Sequence, residues 1–260
     1  MKISTLYPSQ CTLGESPVWH QRRGSYFWVD IEEGILHELN TATRNVKVWN
    51  LHRRVSVIIE QTDGTLVLGV QGGLIKFDPT DGRTSPLVDI DAGQSQNRCN
   101  DGACDSEGRI WIGTMEVHCE PGAGSLYCVN NSLGVKKMMP NLTIPNGIVW
   151  SADMARMYFI ETMSRTVKSY IYNRLSADIH FEKVAINIPE SMGYPDGMKI
   201  DTEGKLWIAL YGGQAVSRWD PETGILLQKI ELPALNITNC CFARVQYRNG
   251  IWYLLTSHID

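Results

Sequence analysis

The chain has 260 residues, a formal net charge of −4 and a pI near 5.9. That length suits one large all-β domain, and a chain of this size hides roughly three quarters of its unfolded surface, ample for a core. The acidic balance excludes a phosphate-tracking nucleic-acid binder, because basic pairs such as Arg22-Arg23 and Arg53-Arg54 stand alone, and no stretch approaches the roughly 20 apolar residues of a membrane span.

At the N-terminus, residues 1–10 hold one Lys and no continuous apolar run, so no export signal is expected and the protein is placed in the cytoplasm. There the seven cysteines (Cys11, Cys99, Cys104, Cys119, Cys128, Cys240 and Cys241) read as reduced thiols. Adjacent Cys240 and Cys241 should point to opposite faces of a strand.

Further along, one unit recurs: a short apolar strand, a polar turn with Gly, then a strand rich in Trp, Tyr and branched residues. The second strands fall at 26–29, 65–68, 109–112, 156–159, 205–208 and 250–253. Their spacing of about 39 to 49 residues is that of four-stranded propeller blades. Asp63-Gly64, Glu107-Gly108, Glu203-Gly204 and Asn249-Gly250 precede second strands, where glycine takes the positive φ of a tight hairpin. Third strands follow at 73–77, 124–128 and 215–219, running into turns at Asp78-Pro79 and Asp220-Pro221. Six units without a linker predict a single all-β domain over residues 1–260, a six-bladed β-propeller. Its last blade is incomplete, because few residues follow Tyr253. Residues 2–6 are expected to add an outer strand, leaving at least one strand lacking and a sheet edge unpaired.

Inner strands of a propeller converge on an axial channel, so polar residues at their start face one another. Glu15, Asn100-Asp101, Asn146 and Asp196 occupy such positions, each ahead of an apolar strand. Singly, Asn-Gly and Asp-Gly are ordinary turn pairs. What separates these from the hairpin pairs is that they precede first strands rather than second ones. A ring of this kind supplies oxygen donors only, which suits hard divalent cations.

Several motifs carry a family resemblance. They are Leu13-Gly14-Glu15-Ser16-Pro17-Val18-Trp19, Asn97-Arg98-Cys99-Asn100-Asp101-Gly102, Gly113-Thr114-Met115, Pro145-Asn146-Gly147, Tyr194-Pro195-Asp196-Gly197, and Thr238-Asn239-Cys240-Cys241-Phe242. In this order they resemble the senescence marker protein (regucalcin)/gluconolactonase family, whose motifs luciferin-regenerating proteins share. The resemblance implies that Glu15, Asn146 and Asp196 bind one divalent cation, Ca2+, Zn2+, Mg2+ or Mn2+. It implies that Arg98 and Asn100 meet the substrate, with Asn100 also near the metal, and that Asp196 doubles as general base. An acidic substrate contact of some members aligns here with His118, which is therefore placed on the substrate side. Past Thr256-Ser257, the family's acidic loop and Gly-Gly-apolar strand do not follow in this sequence.

The activity so implied is metal-dependent hydrolysis of sugar aldonolactones, a small-molecule substrate whose carbonyl the cation polarises. The alternative is a non-catalytic calcium-binding or regulatory propeller, which the same ligands would serve. A Ser-His-Asp hydrolase is not supported, since no Ser lies in a Gly-x-Ser-x-Gly elbow. Cys99 reads as wall packing, and the Trp series at Trp28, Trp111, Trp207 and Trp252 as core.

Overall fold

The computed structural model describes residues 3–244 and 252–259, with Arg244 and the strand Trp252–Ile259 by backbone alone. Hairpin follows hairpin along the chain. The first sheet takes β1 (Gly14–His20), β2 (Ser25–Asp30), β3 (Ile35–Asn40) and β4 (Val46–Asn50). The second takes β5 (Val55–Glu60), β6 (Leu66–Val70), β7 (Gly73–Phe77) and β8 (Thr84–Asp89). The third takes β9 (Asn97–Cys104), β10 (Ile110–Glu116), β11 (Gly124–Val129) and β12 (Val135–Leu142). The fourth takes β13 (Pro145–Trp150), β14 (Arg156–Glu161), β15 (Thr166–Tyr172) and β16 (Ile179–Asn187). The fifth takes β17 (Tyr194–Ile200), β18 (Leu206–Tyr211), β19 (Ala215–Asp220) and β20 (Ile225–Glu231). A two-stranded ribbon, β21 (Asn236–Arg244) with β22 (Trp252–Ile259), ends the order.

The fold is thus an all-β propeller, and the expectation of six blades is corrected to five. The described residues form five four-stranded antiparallel blades, while the last repeat yields only the β21–β22 ribbon. The expected N-terminal closing strand does not form either. Residues 3–13 carry no strand; instead Leu6 packs beside Tyr26, Leu39, Cys241 and Ala243, and its carbonyl accepts from Arg44 Nη2 (2.8 Å). Of the sequence expectations, Gly250, Ile251 and the Asn249-Gly250 turn lie outside the described residues.

Apolar residues on both faces of each sheet explain the circular stacking. Phe27, Val29 and Leu36 of the first blade meet Leu66, Leu68 and Phe77 of the second. Val57 and Leu74 meet Ile112 and Tyr127 across the next junction, and Trp111 meets Trp150 and Phe159 across the third. Tyr158 and Ile160 meet Leu206 and Ile208 across the fourth. The ribbon completes the circle through two smaller junctions. Cys240 and Ile237 sit against Ala209 and Val216 of the fifth blade, while Cys241 and Ala243 sit against Tyr26 and Leu39 of the first. The paired cysteines therefore do face opposite ways. Cys99 is buried among apolar residues of the second junction, and all seven cysteines are free thiols.

The hairpin turns show why sequence and repeat agree. Asp105 Oδ1 accepts the N–H groups of Glu107 (2.9 Å) and Arg109 (3.0 Å), around Gly108 at φ +81°. Its Oδ2 accepts Trp111 Nε1 (3.0 Å), Arg109 Nε (2.6 Å) and Tyr172 OH (2.7 Å). Asp201 repeats the device with Glu203, Lys205 and Trp207, around Gly204 at φ +74°. A turn carboxylate thus anchors the Trp of the following strand, so blade and hairpin are specified together. No helix among the described residues is long and apolar enough to cross a membrane.

Candidate functional site

The inner strands β1, β5, β9, β13, β17 and β21 stand side by side around the axis, β21 packing against both β17 and β1. Each departs from regular pairing at one level. The irregularities fall between Glu15 and Val18, Val55 and Val57, Cys99 and Gly102, Asn146 and Ile148, Pro195 and Met198, and Ile237 and Asn239. A bulge leaves a residue unpaired and re-aims its side chain. Here the bulges deliver Glu15, Ser56, Asn100, Asp101, Asn146, Asp196 and Asn239, all buried. Close backbone approach demands glycine at two of them. A Cβ on Gly147 would lie 2.5 Å from Met198 Cβ, and one on Gly197 would lie 2.2 Å from Asn239 Cγ.

Hydrogen bonds tie these side chains into two runs. Arg98 Nη1 donates to Asn100 Oδ1 (2.7 Å) and to the Cys99 carbonyl (3.0 Å). Asn100 Nδ2 donates to Asn146 Oδ1 (3.0 Å) and to the Pro145 carbonyl (2.8 Å). Asn146 Nδ2 donates to Thr162 Oγ1 (2.8 Å), and Thr162 Oγ1 donates to the Pro195 carbonyl (2.9 Å), one residue before Asp196. On the far side, Glu15 Oε2 accepts the Ser16 N–H (2.7 Å) and Asn239 Nδ2 (2.9 Å). Ser16, a non-glycine residue at φ +47°, holds the bulge by accepting the Ile58 N–H on Oγ (2.9 Å).

The electrostatics follow from burial of like charges. Burial, repulsion from Glu15 and then from Asp101 push the Asp196 carboxyl well above the usual carboxylate range, opposed by Arg98 and the Gly197 N–H. Burial and repulsion from Asp101 push Glu15 up to about 7, against the pull of Ser16, Asn239 and Lys199. Asp101 is raised chiefly by burial, with Lys199 opposing. The Arg98 guanidinium is drawn below its ordinary value by burial, while Glu32 and Glu15 support its charge. Three buried carboxylates thus crowd one channel, with Arg98 and Lys199 as nearby counter-charges. No salt bridge within 4.0 Å reaches Glu15, Asp101 or Asp196 among the described residues.

This donor set fits a hard divalent cation. Glu15 Oε1 takes no hydrogen bond among the described residues, and Asn146 presents an amide oxygen whose orientation Thr162 sets. Unpaired buried carboxylates are costly unless a cation or a proton compensates them. Among the described residues no three His, Cys, Asp or Glu side chains are grouped closely enough to hold an ion by themselves.

The structure therefore brings Glu15, Arg98, Asn100, Asn146 and Asp196 into one neighbourhood. His118 is not joined to it: it lies exposed after β10, and its backbone N–H donates to Glu116 Oε2 (2.6 Å). Thr162, Lys199 and Asn239 were missing from the sequence-derived set, and Asp101 stood among its axial positions without a role. Asp101 and Asn239 had a legible signal, since each lies beside a motif residue at the start of an inner strand. Thr162 follows β14 and Lys199 lies past the bulge, and no local pattern marks either.

The chain is similar to known proteins over nearly its whole length. The SMP-30/Gluconolactonase/LRE-like region family matches residues 13–251. The chain is 34% identical over 252 residues to regucalcin of Oryctolagus cuniculus, covering 95% of this chain and 84% of that protein. Among solved structures it is similar to a luciferin-regenerating enzyme, with TM-score 0.86 and 27% identity over 96% of this chain and 90% of that one. It is also similar to a calcium-binding protein, regucalcin, from Agrobacterium tumefaciens, with TM-score 0.85 and 26% identity over 97% and 93% of the two chains.

Proposed function

Because the chain belongs to the SMP-30/gluconolactonase/LRE-like family, we propose that it hydrolyses sugar aldonolactones at a divalent cation held by Glu15, Asn146 and Asp196. The observation that carries this reading is the buried arginine. Arg98 is 6% exposed and hydrogen-bonded to Asn100 beside the carboxylates. A simple calcium buffer needs no such cation next to its ligands; a site for a hydroxylated substrate does.

When bound, the cation supplies Lewis-acid polarisation of the lactone carbonyl. The chain's own groups do the rest. Both Asn100 amide hydrogens are committed to Pro145 and Asn146, so Asn100 Oδ1 meets a sugar hydroxyl only as an acceptor. Arg98 uses Nη1 internally, and its remaining guanidinium edge donates to sugar oxygens. Asp196 takes one proton of the water that adds to the carbonyl carbon; the C–O bond to the ring oxygen then breaks, and Asp196 returns that proton to the departing oxygen, which becomes a hydroxyl of the aldonic acid. His118 is assigned to the substrate rim. The protein is read as cytoplasmic, with reduced thiols.

The calcium-binding name of the Agrobacterium relative favours a second reading, a non-catalytic calcium-binding propeller. Acid release from a panel of aldonolactones, with and without chelator, separates the two. The enzyme reading expects chelator-sensitive acid release that a divalent cation restores, with Arg98→Met raising KM at least tenfold. Calcium binding without hydrolysis across the panel would favour the buffer.

A further inference from the structure

The ribbon that ends the ring carries one side chain wedged between two of the candidate cation ligands. Asn239 is 1% exposed. Its Oδ1 accepts the Cys240 backbone N–H (2.8 Å), which fixes the amide so that Nδ2 faces Glu15 and donates to Oε2 (2.9 Å). Its flank lies directly on Gly197, the neighbour of Asp196, where a Cβ would come within 2.2 to 2.5 Å of its amide atoms. One residue of β21 thus touches the bulge of β17 and the carboxylate of β1.

We infer that Asn239 is a positioning residue that turns Glu15 toward the cation. This rests on the cation-site reading given above. Both hydrogen-bond donors to Glu15, the Ser16 N–H and Asn239 Nδ2, fall on Oε2, which leaves Oε1 free for the ion. Without Asn239 the carboxylate keeps a single backbone donor and gains torsional freedom in a channel where Asp101 and Asp196 repel it. Groups that orient a ligand typically contribute 10- to 100-fold in metal affinity, roughly the loss seen when such partners are removed. The ribbon also has a seat that does not involve the ligand, in which Thr238 Oγ1 donates to the Gly14 carbonyl (2.6 Å). That bond holds β21 to β1 without fixing the Glu15 side chain, so seating and orientation are separable.

The test is calcium titration by calorimetry of chelator-stripped protein, with no lactone present, beside thermal melting. Asn239→Ala is expected to raise Kd at least tenfold. Thr238→Val is expected to lower Tm while leaving Kd within about twofold, a split that a merely structural role for Asn239 would not produce. Should Asn239→Ala fail to fold, Asn239→Ser, whose hydroxyl falls short of Glu15, is read by the same criteria. A Kd within threefold of wild type for the folded variant overturns the inference alone. Equal loss of affinity in the Thr238 and Asn239 variants also overturns it, by assigning the effect to seating. Wild-type protein that binds none of Ca2+, Zn2+, Mg2+ and Mn2+ overturns the cation-site reading and this inference with it.

Discussion

Glu15→Gln is the substitution whose sign is least intuitive. Folding raises the Glu15 carboxyl from an ordinary value of 4.5 to about 7, chiefly through burial and through repulsion by Asp101. Such a group destabilises the folded state only when ionised. Below about pH 4.5 the penalty is absent; it grows as pH rises and is complete above about pH 7, where it reaches roughly 3 kcal/mol at ~1.4 kcal/mol per pH unit. In a chain of this size about 2 °C of melting temperature accompanies each kcal/mol. The neutral amide keeps an oxygen for Ser16 and Asn239 and removes the charge. Without divalent ions, Glu15→Gln should therefore melt roughly 6 °C above wild type at pH 8 and together with it at pH 4.5. Calcium should raise the wild-type melting temperature at pH 8 and leave the variant unmoved. Differential scanning calorimetry, run once in excess chelator and once in excess calcium, measures both. A variant that melts at or below wild type at pH 8 would refute the repulsion argument.

Gly197→Ala should cost about 1–3 kcal/mol by overpacking and weaken cation binding, because the added methyl displaces the Asn239 amide from Glu15; urea unfolding and calcium titration read the two effects. Asp105→Ala strips the carboxylate from Arg109, Trp111 and Tyr172 in a hairpin away from the site. It should cost about 3–5 kcal/mol in urea unfolding while leaving calcium affinity within twofold.

Legibility in the sequence followed locality. The repeat was readable because the hairpins carry their own turn chemistry, and two of them anchor an aromatic on the turn carboxylate, as Asp105-Trp111 and Asp201-Trp207 show. The blade count was not. A last strand pair looks like the inner half of a blade, and whether outer strands join it depends on pairing partners that no local pattern reveals. Residues 2–6 were expected to add an outer strand, yet residues 3–13 carry no strand and Leu6 packs on Tyr26 and Leu39 instead. At the site, the ring of Glu15, Asn100, Asn146 and Asp196 was visible through its repeated place before inner strands. Which amide hydrogen points where was not, because Thr162 reaches Asn146 from past the next strand of its blade, and Asn239 reaches Glu15 from the ribbon across a separation that only the closed circle removes. His118 rests on an alignment position rather than on a place before an inner strand, and the structure sets it exposed in the loop after β10.

The central claim is that oxygen atoms from three distant inner strands hold one ion on the axis. A crystal structure of the protein grown with calcium, with the ion identified by anomalous scattering, tests it most directly. The account predicts a single axial ion with carboxylate oxygens of Glu15 and Asp196 and the amide oxygen of Asn146 within about 2.3–2.6 Å. An axis without the ion, or an ion bound by other residues, would contradict it.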